Sequence, residues 1–192
     1  TPLANMKSSL ELAKLKWDYT DCSIDTFSEI EKMNNLIDSL LTLSNLDNKK
    51  METTFIFPLL EEEIKKYDSK IKEKNIKVSN IKNFDTKLNI NSEHFKILFS
   101  NLLSNAIKYN KDNWNIDIIL NEKSLSIKDN WIWIDNWNKD RIFEKFFREE
   151  FARSENGFGI WLSLVKKIVD LYSWKIEMKW EKWVWTEFII KF

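Results

Sequence analysis

Cysteine, glycine, proline and histidine are all scarce in this chain of 192 residues. The single cysteine, Cys22, excludes an internal disulfide and fits a reducing compartment. Thirty basic and thirty acidic side chains cancel, so no net field favours nucleic acid as a partner. No apolar run approaches the roughly 20 residues that cross a bilayer, and no signal peptide is visible. We therefore expect a soluble chain with an ordinary charged surface.

The shortage of glycine is accompanied by an excess of tryptophan. Average usage predicts about thirteen glycines in a chain of this length, whereas the sequence has two glycines and ten tryptophans. The combined number of the two residue types is close to the number of glycines expected. This coincidence requires an explanation, which depends on where the tryptophans lie.

The N-terminal region predicts two amphipathic helices, the first from Leu3 and the second from about Ser23 to Asn45. A homodimer that forms a four-helix bundle would bury the wide apolar stripe of the second helix. We interpret the chain as part of a longer protein because it opens within a helix. A composition shift divides it into a helical hairpin at 1–48 and a second domain at 49–192. The stripe consists of Ile30, Met33, Ile37, Leu40 and Ser44, flanked by Phe27, Leu36, Leu41 and Leu43.

The second domain alternates short strands with amphipathic helices. Period-two runs predict strands, and steps of three and four predict helices. Such a mixed and largely antiparallel set of strands predicts an α+β fold, a two-layer sandwich behind the helical hairpin. The predicted elements are a strand at 53–56, a helix at 57–71, strands at 76–81 and 87–90, a helix from 92, a hairpin at 115–120 and 124–128, a short helix within 139–151, a helix at 161–172, and strands at 175–178 and 186–192.

The helix that begins at about 92, with Asn91 and Ser92 as its caps, carries an unusual polar stripe. Asn101, Asn105 and Lys108 follow one another at steps of four and three, so they share a face distinct from the apolar one. Amide oxygens are suitable ligands for Mg2+, and an ammonium group can bind phosphate oxygens. The alternative for this stripe is an ordinary solvated helix face. The only histidine, His94, lies in the same helix, and we interpret it as a surface residue.

The predicted hairpin ends on an acidic residue that should point inward. Leu125 and Ile127 face the core, and the period of two places Asp129 on the same side. A carboxylate in an apolar layer costs several kcal/mol unless a donor binds it, and the exocyclic amine of a purine is one such donor. The alternative is that Asp129 and Asn130 begin a turn.

Segments in a fixed order resemble the sequence boxes of sensor histidine kinases of two-component systems. Each segment is a weak signal by itself, but six segments in the family's order and spacing are a strong signal. The match covers essentially the whole chain. The segments are TPL at 1–3 (end of the H box), NLLSNAIKY at 101–109 (N box), DNWIWI at 129–134 (G1 box), RIFEKFFR at 141–148 (F box), GFGIWL at 157–162 (G2 box) and WT at 185–186 (last box).

This resemblance implies a dimerisation and phosphoacceptor hairpin followed by an ATP-binding two-layer α/β sandwich of the Bergerat/GHKL type. Matched to the boxes, Asn105 would be the main Mg2+ ligand with Asn101 assisting, Lys108 would contact phosphate, and Tyr109 would lie near the nucleotide. Asp129 would bind the adenine amine. The other positions implied in the nucleotide site are Trp131, Trp133, Phe143, Phe146, Arg148, Gly157, Gly159, Trp161, Leu162 and Thr186, of which Phe143, Phe146 and Arg148 belong to a mobile lid.

The implied activity is that of a protein-histidine kinase using ATP and Mg2+. The family passes phosphate from its own histidine to an aspartate on the receiver domain of a response regulator. The phosphoacceptor histidine would precede Thr1, so this chain contains no catalytic residue of that kind. The resemblance also implies a homodimer that forms the cytoplasmic portion of a membrane-anchored bacterial sensor, with membrane contact only through upstream segments.

Nine of the ten tryptophans stand at family glycine positions or at turns where glycine would be natural. Glycine would supply positive φ or close approach to phosphate there. We hypothesise that UGA codons for glycine have been read as tryptophan. If the tryptophans are literal, the alternative function is a non-catalytic dimeric scaffold. These nine tryptophans are Trp131, Trp133, Trp161, Trp174 and Trp185 at the family positions, and Trp114, Trp137, Trp180 and Trp183 at the turns.

Overall fold

The structure is a computed structural model, and it describes residues 33–34, 37, 40–46, 50–79, 86–110, 113–130, 141–145, 147, 159–181 and 184–192. The first predicted helix and most of the second lie outside these residues. The hairpin at 1–48 and the boundary after it therefore stay predictions.

The second domain contains helices and strands close to those predicted. The elements are β1 (Glu52–Phe55), α1 (Ile56–Lys66), α2 (Asp68–Glu73), β2 (Lys77–Ser79), β3 (Lys87–Ile90), α3 (Ser92–Tyr109), β4 (Asn115–Asn121), β5 (Ser124–Asp129), a 3-10 helix (Arg141–Phe143), α4 (Trp161–Leu171), β6 (Lys175–Glu181) and β7 (Trp185–Lys191). The single helix expected at 57–71 is wrong, because the chain turns at Tyr67 and forms two helices.

Within the described residues the strands form two sheets. β1 and β3 pair as a short antiparallel sheet. The larger sheet has the order β2-β4-β5-β7-β6, in which β2 runs parallel to β4 and the other pairs are antiparallel. β4 and β5 form the predicted hairpin, and Asn121 closes its turn by accepting hydrogen bonds from Lys123 N and Ser124 N.

The core lies between one face of the larger sheet and the helices. α3 packs on β5 and against α1 and α4, and α4 packs on β6. Alternate residues of the central strands point into this layer, as period-two strands require. The two-layer α/β sandwich is therefore confirmed. Its most deeply buried side chains include Phe95, Leu98, Phe99, Ile116, Ile118, Leu125, Ile127, Val165, Ile168 and Ile190.

The N-terminus of α3 is tied to the C-terminus of α4. Asn91 caps α3 by accepting hydrogen bonds from Glu93 N at 3.0 Å and His94 N at 3.4 Å. This confirms the prediction for Asn91, whereas Ser92, the other predicted cap, is the first residue of the helix. The Asn91 N–H donates to Tyr172 Oη at 3.1 Å, and that hydroxyl lies 2.8 Å from His94 Nδ1. Burial raises the pKa of the Tyr172 phenol, while the hydrogen bond from Asn91 opposes this shift.

The interpretation of His94 as a surface residue is wrong. Its side chain is only 1% exposed and lies edge-on to the Tyr172 ring, with ring centroids 5.8 Å apart. His94 is the residue before Phe95 in α3, and the spacing of the apolar residues alone did not reveal that Tyr172 would cover it. A buried imidazole needs a hydrogen-bonding neighbour, which the Tyr172 hydroxyl supplies.

Two helices end with the same arrangement, in which a non-glycine residue adopts positive φ. Asn75 follows α2 with φ 51, and Ser173 follows α4 with φ 55. After α4, Ser173 N donates to Asp170 O and Trp174 N donates to Val169 O, the bonding of a Schellman motif. The corresponding bonds after α2 are Asn75 N to Lys72 O and Ile76 N to Ile71 O.

The described end of the second N-terminal helix contacts the ATP-binding domain predicted at 49–192. Leu43 and Leu46 are 5% and 1% exposed and belong to the main core. Lys167 Nζ donates to Leu43 O at 2.6 Å, which places an α4 ammonium at the carbonyl end of that helix. In contrast, Met33, Ile37, Leu40 and Leu41 are exposed. Among the described helices, none is long and apolar enough to cross a membrane.

Candidate functional site

The polar stripe of α3 is partly buried. Asn101 is 6% exposed, and its Nδ2 donates to Ile97 O at 2.6 Å. Because the amide nitrogen is held by the helix, the Asn101 oxygen is the part of the amide suited to a cation. Asn105 lies one turn further on and is half-buried. The donor set of two amide oxygens on one helical face fits a hard divalent ion such as Mg2+.

The C-terminal end of the stripe brings Lys108 and Tyr109 together. Lys108 Nζ lies 3.4 Å from Tyr109 Oη and 4.8 Å from the centroid of the Tyr109 ring. Both side chains are half-buried. An ammonium group beside an aromatic face is stabilised by the ring quadrupole, and it still offers donors to an anion. The helix therefore presents amide oxygens followed by a positive charge along one face.

The last residue of β5 is the carboxylate that was predicted to be buried. Asp129 is 2% exposed, and the β5–β7 register places it opposite Thr186, which is 1% exposed. Burial of Asp129 confirms the inward direction predicted from the strand period. An ionised carboxylate only accepts hydrogen bonds, whereas a threonine hydroxyl both donates and accepts. Together the two side chains can recognise a ligand edge that carries an N–H donor next to an acceptor.

The start of α4 forms a third part of the candidate site. Gly159 has φ 67, a left-handed conformation that glycine adopts without steric strain. Ile160 precedes the helix, and α4 begins at Trp161. The first backbone N–H groups of a helix have no partner within it, so this end of α4 is suited to an anion. Trp161 and Leu162 are half-buried here, and Leu162 packs against the core.

Next to α4 lies the short 3-10 helix that contains Phe143. Phe143 is half-buried and packs against the core, while Ile142 is 6% exposed. The Arg141 guanidinium lies 4.6 Å from the centroid of the Phe147 ring. This segment packs against α4. The remaining positions assigned to the site lie outside the described residues, namely Trp131, Trp133, Phe146, Arg148 and Gly157.

The described tryptophans do not adopt the conformation that glycine was expected to supply. Within the described residues, positive φ occurs at Asn75, Asn113, Ser173 and Gly159. Of the two predicted reasons for glycine, the need for positive φ is therefore wrong at the described tryptophan positions, and close approach to phosphate stays a prediction. These positions are Trp114, Trp161, Trp174, Trp180 and Trp185.

Two of these indoles have specific partners. Trp174 lies 5.1 Å from the Tyr172 ring and 4.8 Å from the Phe192 ring, measured between centroids. Trp185 donates from Nε1 to Glu181 Oε2 at 3.1 Å, and Lys128 Nζ lies 4.3 Å from its ring centroid. Each indole therefore packs against neighbours at the end or edge of the sheet.

Sequence reasoning missed Lys74, which contacts the end of α3. Its Nζ donates to Ile107 O, Lys108 O and Asn110 O at 3.0, 2.9 and 3.3 Å. A lysine followed by asparagine is a signal for a helix end. That signal predicts the end of α2 but does not predict the contact of Lys74 with α3, because the two segments are distant in the chain.

Comparison with known proteins assigns most of the larger domain to a protein family. Residues 90–192 match the family described as histidine kinase-, DNA gyrase B-, and HSP90-like ATPase. The chain is 28% identical to the sensor histidine kinase WalK of Bacillus subtilis over 191 residues, which is 90% of this chain and 31% of WalK. It is also 28% identical to the sensor protein CiaH of Streptococcus pneumoniae over 209 residues, with 100% of this chain and 46% of CiaH covered. The chain thus spans less than half the length of these relatives.

Among solved structures, the histidine kinase AdeS of Acinetobacter baumannii has the same fold. The TM-score is 0.70 at 16% identity, and the alignment covers 98% of this chain and 93% of that one. The resemblance drawn from the ordered boxes is confirmed, because the family match includes the stripe of α3, the Asp129–Thr186 pair and the start of α4. The chain belongs to the histidine kinase-, DNA gyrase B- and HSP90-like ATPase family, and WalK, to which it is similar over 191 residues, is a sensor histidine kinase.

Proposed function

We propose that this chain is the catalytic core of a two-component sensor histidine kinase, which binds ATP–Mg2+ to phosphorylate a histidine of the longer protein. The observation that carries the proposal is the buried Asp129–Thr186 pair at the end of β5 and β7. It supplies a base-recognition site on the same domain as a cation-binding stripe and a helix N-terminus suited to phosphate.

Adenine fits the chemistry of the Asp129–Thr186 pair. The exocyclic amine of adenine is a donor that a carboxylate can accept. Guanine places a carbonyl oxygen at the equivalent position, so two acceptors would face each other without a hydrogen bond between them. We therefore expect ATP to be preferred over GTP. In this arrangement Asp129 binds the base, and the Thr186 hydroxyl supports the pair.

The phosphates would lie between the end of α3 and the start of α4. Asn105, with Asn101 assisting, would hold Mg2+, and Lys108 would contact phosphate oxygens. The backbone after Gly159 would offer N–H groups to the same phosphates. When bound, Mg2+ neutralises charge that develops on the transferred phosphoryl group. The residues of this chain contribute positioning of the nucleotide, which favours in-line transfer to a histidine.

The partners follow from the same proposal. Met33, Ile37, Leu40 and Leu41 are exposed on the N-terminal helix, which supports burial of this apolar stripe in a homodimer. The phosphorylated histidine would pass its phosphate to an aspartate of a response regulator receiver domain. The kinase would act as the cytoplasmic portion of a membrane-anchored sensor.

The test of base recognition is binding of a fluorescent ATP analogue, with ATP and GTP as competitors. Asp129→Asn should weaken ATP binding by at least tenfold, about 1.4 kcal/mol, because the neutral amide is a weaker acceptor for the adenine amine than the carboxylate and one of its two polar atoms is a donor. Asp170→Asn is the matched control, since Asp170 lies exposed on α4 and pairs only with Lys166 among the described residues. Equal ATP binding by the Asp129→Asn variant and its parent would contradict the proposed site.

The test of the metal site is the Mg2+ dependence of ATP binding. Asn105→Ala should remove most of the gain in affinity that Mg2+ gives, because it removes the main amide ligand. Asn89→Ala, an exposed position on β3, should keep the full dependence. Titration of each variant with and without Mg2+ checks this, and an unchanged Mg2+ effect in Asn105→Ala would assign the metal elsewhere.

Both tests should use two versions of the chain, one as printed and one with the nine tryptophans replaced by glycine. Binding by the printed chain would show that the indoles leave the site open. Binding by the glycine version alone would favour the non-catalytic scaffold for the printed chain. Failure of both versions to bind ATP would contradict the kinase proposal itself.

A further inference from the structure

Lys74, the residue that follows α2, makes three hydrogen bonds to the end of the helix that carries the candidate site. α3 ends at Tyr109, so its last carbonyl groups have no N–H donors within the helix. Lys74 Nζ reaches Ile107 O, Lys108 O and Asn110 O at 3.0, 2.9 and 3.3 Å. An ammonium group has three N–H donors, so the three carbonyls use all of them. Its positive charge also opposes the negative end of the helix dipole.

The position of Lys74 is itself fixed by hydrogen bonds. Asn113 N donates to Lys74 O at 2.9 Å, and Asn75 Nδ2 donates to Asn113 Oδ1 at 2.6 Å. Both asparagines have positive φ, 51 for Asn75 and 64 for Asn113. Two turns with positive φ, one after α2 and one before β4, are therefore hydrogen-bonded to each other. The side chain of Lys74 extends from the first of these turns to the end of α3.

The last turn of α3 is where two residues of the site lie. Lys108 contributes one of the carbonyls that Lys74 binds, and its own ammonium is 3.4 Å from Tyr109 Oη. A helix end without such a cap frays, since its final carbonyls must be hydrated. Fraying of this turn would move Lys108 and Tyr109 but would leave the Asp129–Thr186 pair on the sheet in place.

We propose that Lys74 is a positioning residue for the nucleotide phosphates, which it serves by fixing the last turn of α3. The inference rests on the proposed function, because it takes the phosphates to lie at Lys108. Lys74 does not touch the nucleotide in this proposal. It acts through the backbone of residues 107–110.

The experiment compares Lys74→Met, Lys74→Arg and Lys72→Met with their parent. Methionine keeps much of the apolar stem and removes the donors, whereas arginine restores donors and charge. Lys72 is the matched control, since it lies in the last turn of α2, two residues before Lys74, with its side chain 75% exposed and paired with Asp68 at 2.5 Å. Affinities for ATP–Mg2+ and for adenosine are measured by competition against a fluorescent ATP analogue.

Lys74→Met should bind ATP–Mg2+ about tenfold more weakly and bind adenosine like the parent. Lys74→Arg should recover most of the lost affinity, and Lys72→Met should behave as the parent. Equal losses for ATP and adenosine would show a general structural role and overturn the proposal. So would unchanged ATP affinity in Lys74→Met.

The outcome separates this inference from the proposed function. A parent that binds no ATP–Mg2+ overturns both, whereas a parent that binds and a Lys74→Met variant that binds equally overturn only the role of Lys74. If Lys74→Met does not fold, Lys74→Gln retains an amide donor and should show a smaller loss confined to ATP. Amide hydrogen exchange at residues 108–110 should be faster in the same variant, and unchanged exchange would overturn the proposal.

Discussion

Individual side chains in this domain are placed by hydrogen bonds that cross between elements. Tyr172 shows this most directly, because its hydroxyl accepts from Asn91 N and lies 2.8 Å from His94 Nδ1. One phenol therefore joins the end of α4 to the start of α3.

Whether the nine tryptophans are glycine in the natural protein is also a question about individual residues. The codons at these nine positions decide it. TGA codons would support the hypothesis that they encode glycine, and TGG codons would contradict it.

Tyr172→Phe should change both the stability and its dependence on pH. Loss of the hydroxyl should lower the free energy of unfolding by about 1 kcal/mol near neutral pH. Burial raises the pKa of Tyr172 above its ordinary value of 10.0. A raised pKa in the folded state means that its stabilisation is complete below the unfolded pKa and is lost as pH rises through the folded pKa. The parent should therefore lose stability above about pH 10 more steeply than Tyr172→Phe.

Urea unfolding between neutral pH and pH 11 measures this difference. Tyr67→Phe is the control, since it removes a hydroxyl bonded to Ser100 Oγ at 2.8 Å and leaves Tyr172 in place. Parallel pH profiles for the parent and Tyr172→Phe would refute the assignment of the alkaline loss to Tyr172.

At the scale of elements, helix ends determine where special backbone conformations occur. The family pattern placed glycine at Trp174, yet the left-handed residue after α4 is Ser173, with φ 55. Trp174 instead donates its N–H to Val169 O and packs on Tyr172 and Phe192. The Schellman motif needs positive φ only at the residue before Trp174.

Replacement of these neighbours by glycine should have opposite effects. Ser173→Gly should raise the free energy of unfolding by about 1 kcal/mol, because glycine enters the left-handed region without the Cβ penalty. Trp174→Gly should lower it by about 3 kcal/mol or more, because it removes a packed aromatic side chain. Urea denaturation of the two variants checks the signs. Stabilisation by Trp174→Gly would instead favour glycine as the natural residue there.

On the scale of the whole molecule, the N-terminal helix and the ATP-binding domain share a core. Leu46 is 1% exposed in that core, and Lys167 holds the Leu43 carbonyl at 2.6 Å. Leu41, two residues before Leu43, is 55% exposed. One short segment thus has a face that packs on the ATP-binding domain and a face that is exposed.

Alanine substitutions on the two faces of this helix should have different effects, one on the stability of the folded chain and the other on dimerisation. Leu46→Ala should destabilise the folded chain by roughly 2–5 kcal/mol, since it leaves a cavity in the core. Leu41→Ala should change the stability of the monomer by less than about 0.5 kcal/mol and weaken any homodimer. Denaturation and sedimentation equilibrium, measured on both variants, test the pair. A Leu46→Ala variant as stable as its parent would show that the helix does not share the core.

The sequence by itself determined most of the elements of the second domain and the family to which it belongs. Residue spacing predicted α3 and its Asn101, Asn105 and Lys108 stripe, since helix periodicity is a local property. Residue type placed the cap at Asn91 and Ser92, of which Asn91 is the cap. Strand alternation predicted the inward direction of Asp129. The ordered boxes identified the family, because each of them lies within a short stretch of chain.

Only the tertiary structure decided which distant residues meet. The register of β5 and β7 places Thr186 beside Asp129, and the packing of α4 covers His94 with Tyr172. The turn after α2 brings Lys74 to the end of α3. These contacts join residues far apart in the chain, so no local pattern records them. They form when apolar faces pack and buried polar groups must then find partners among the side chains brought near them.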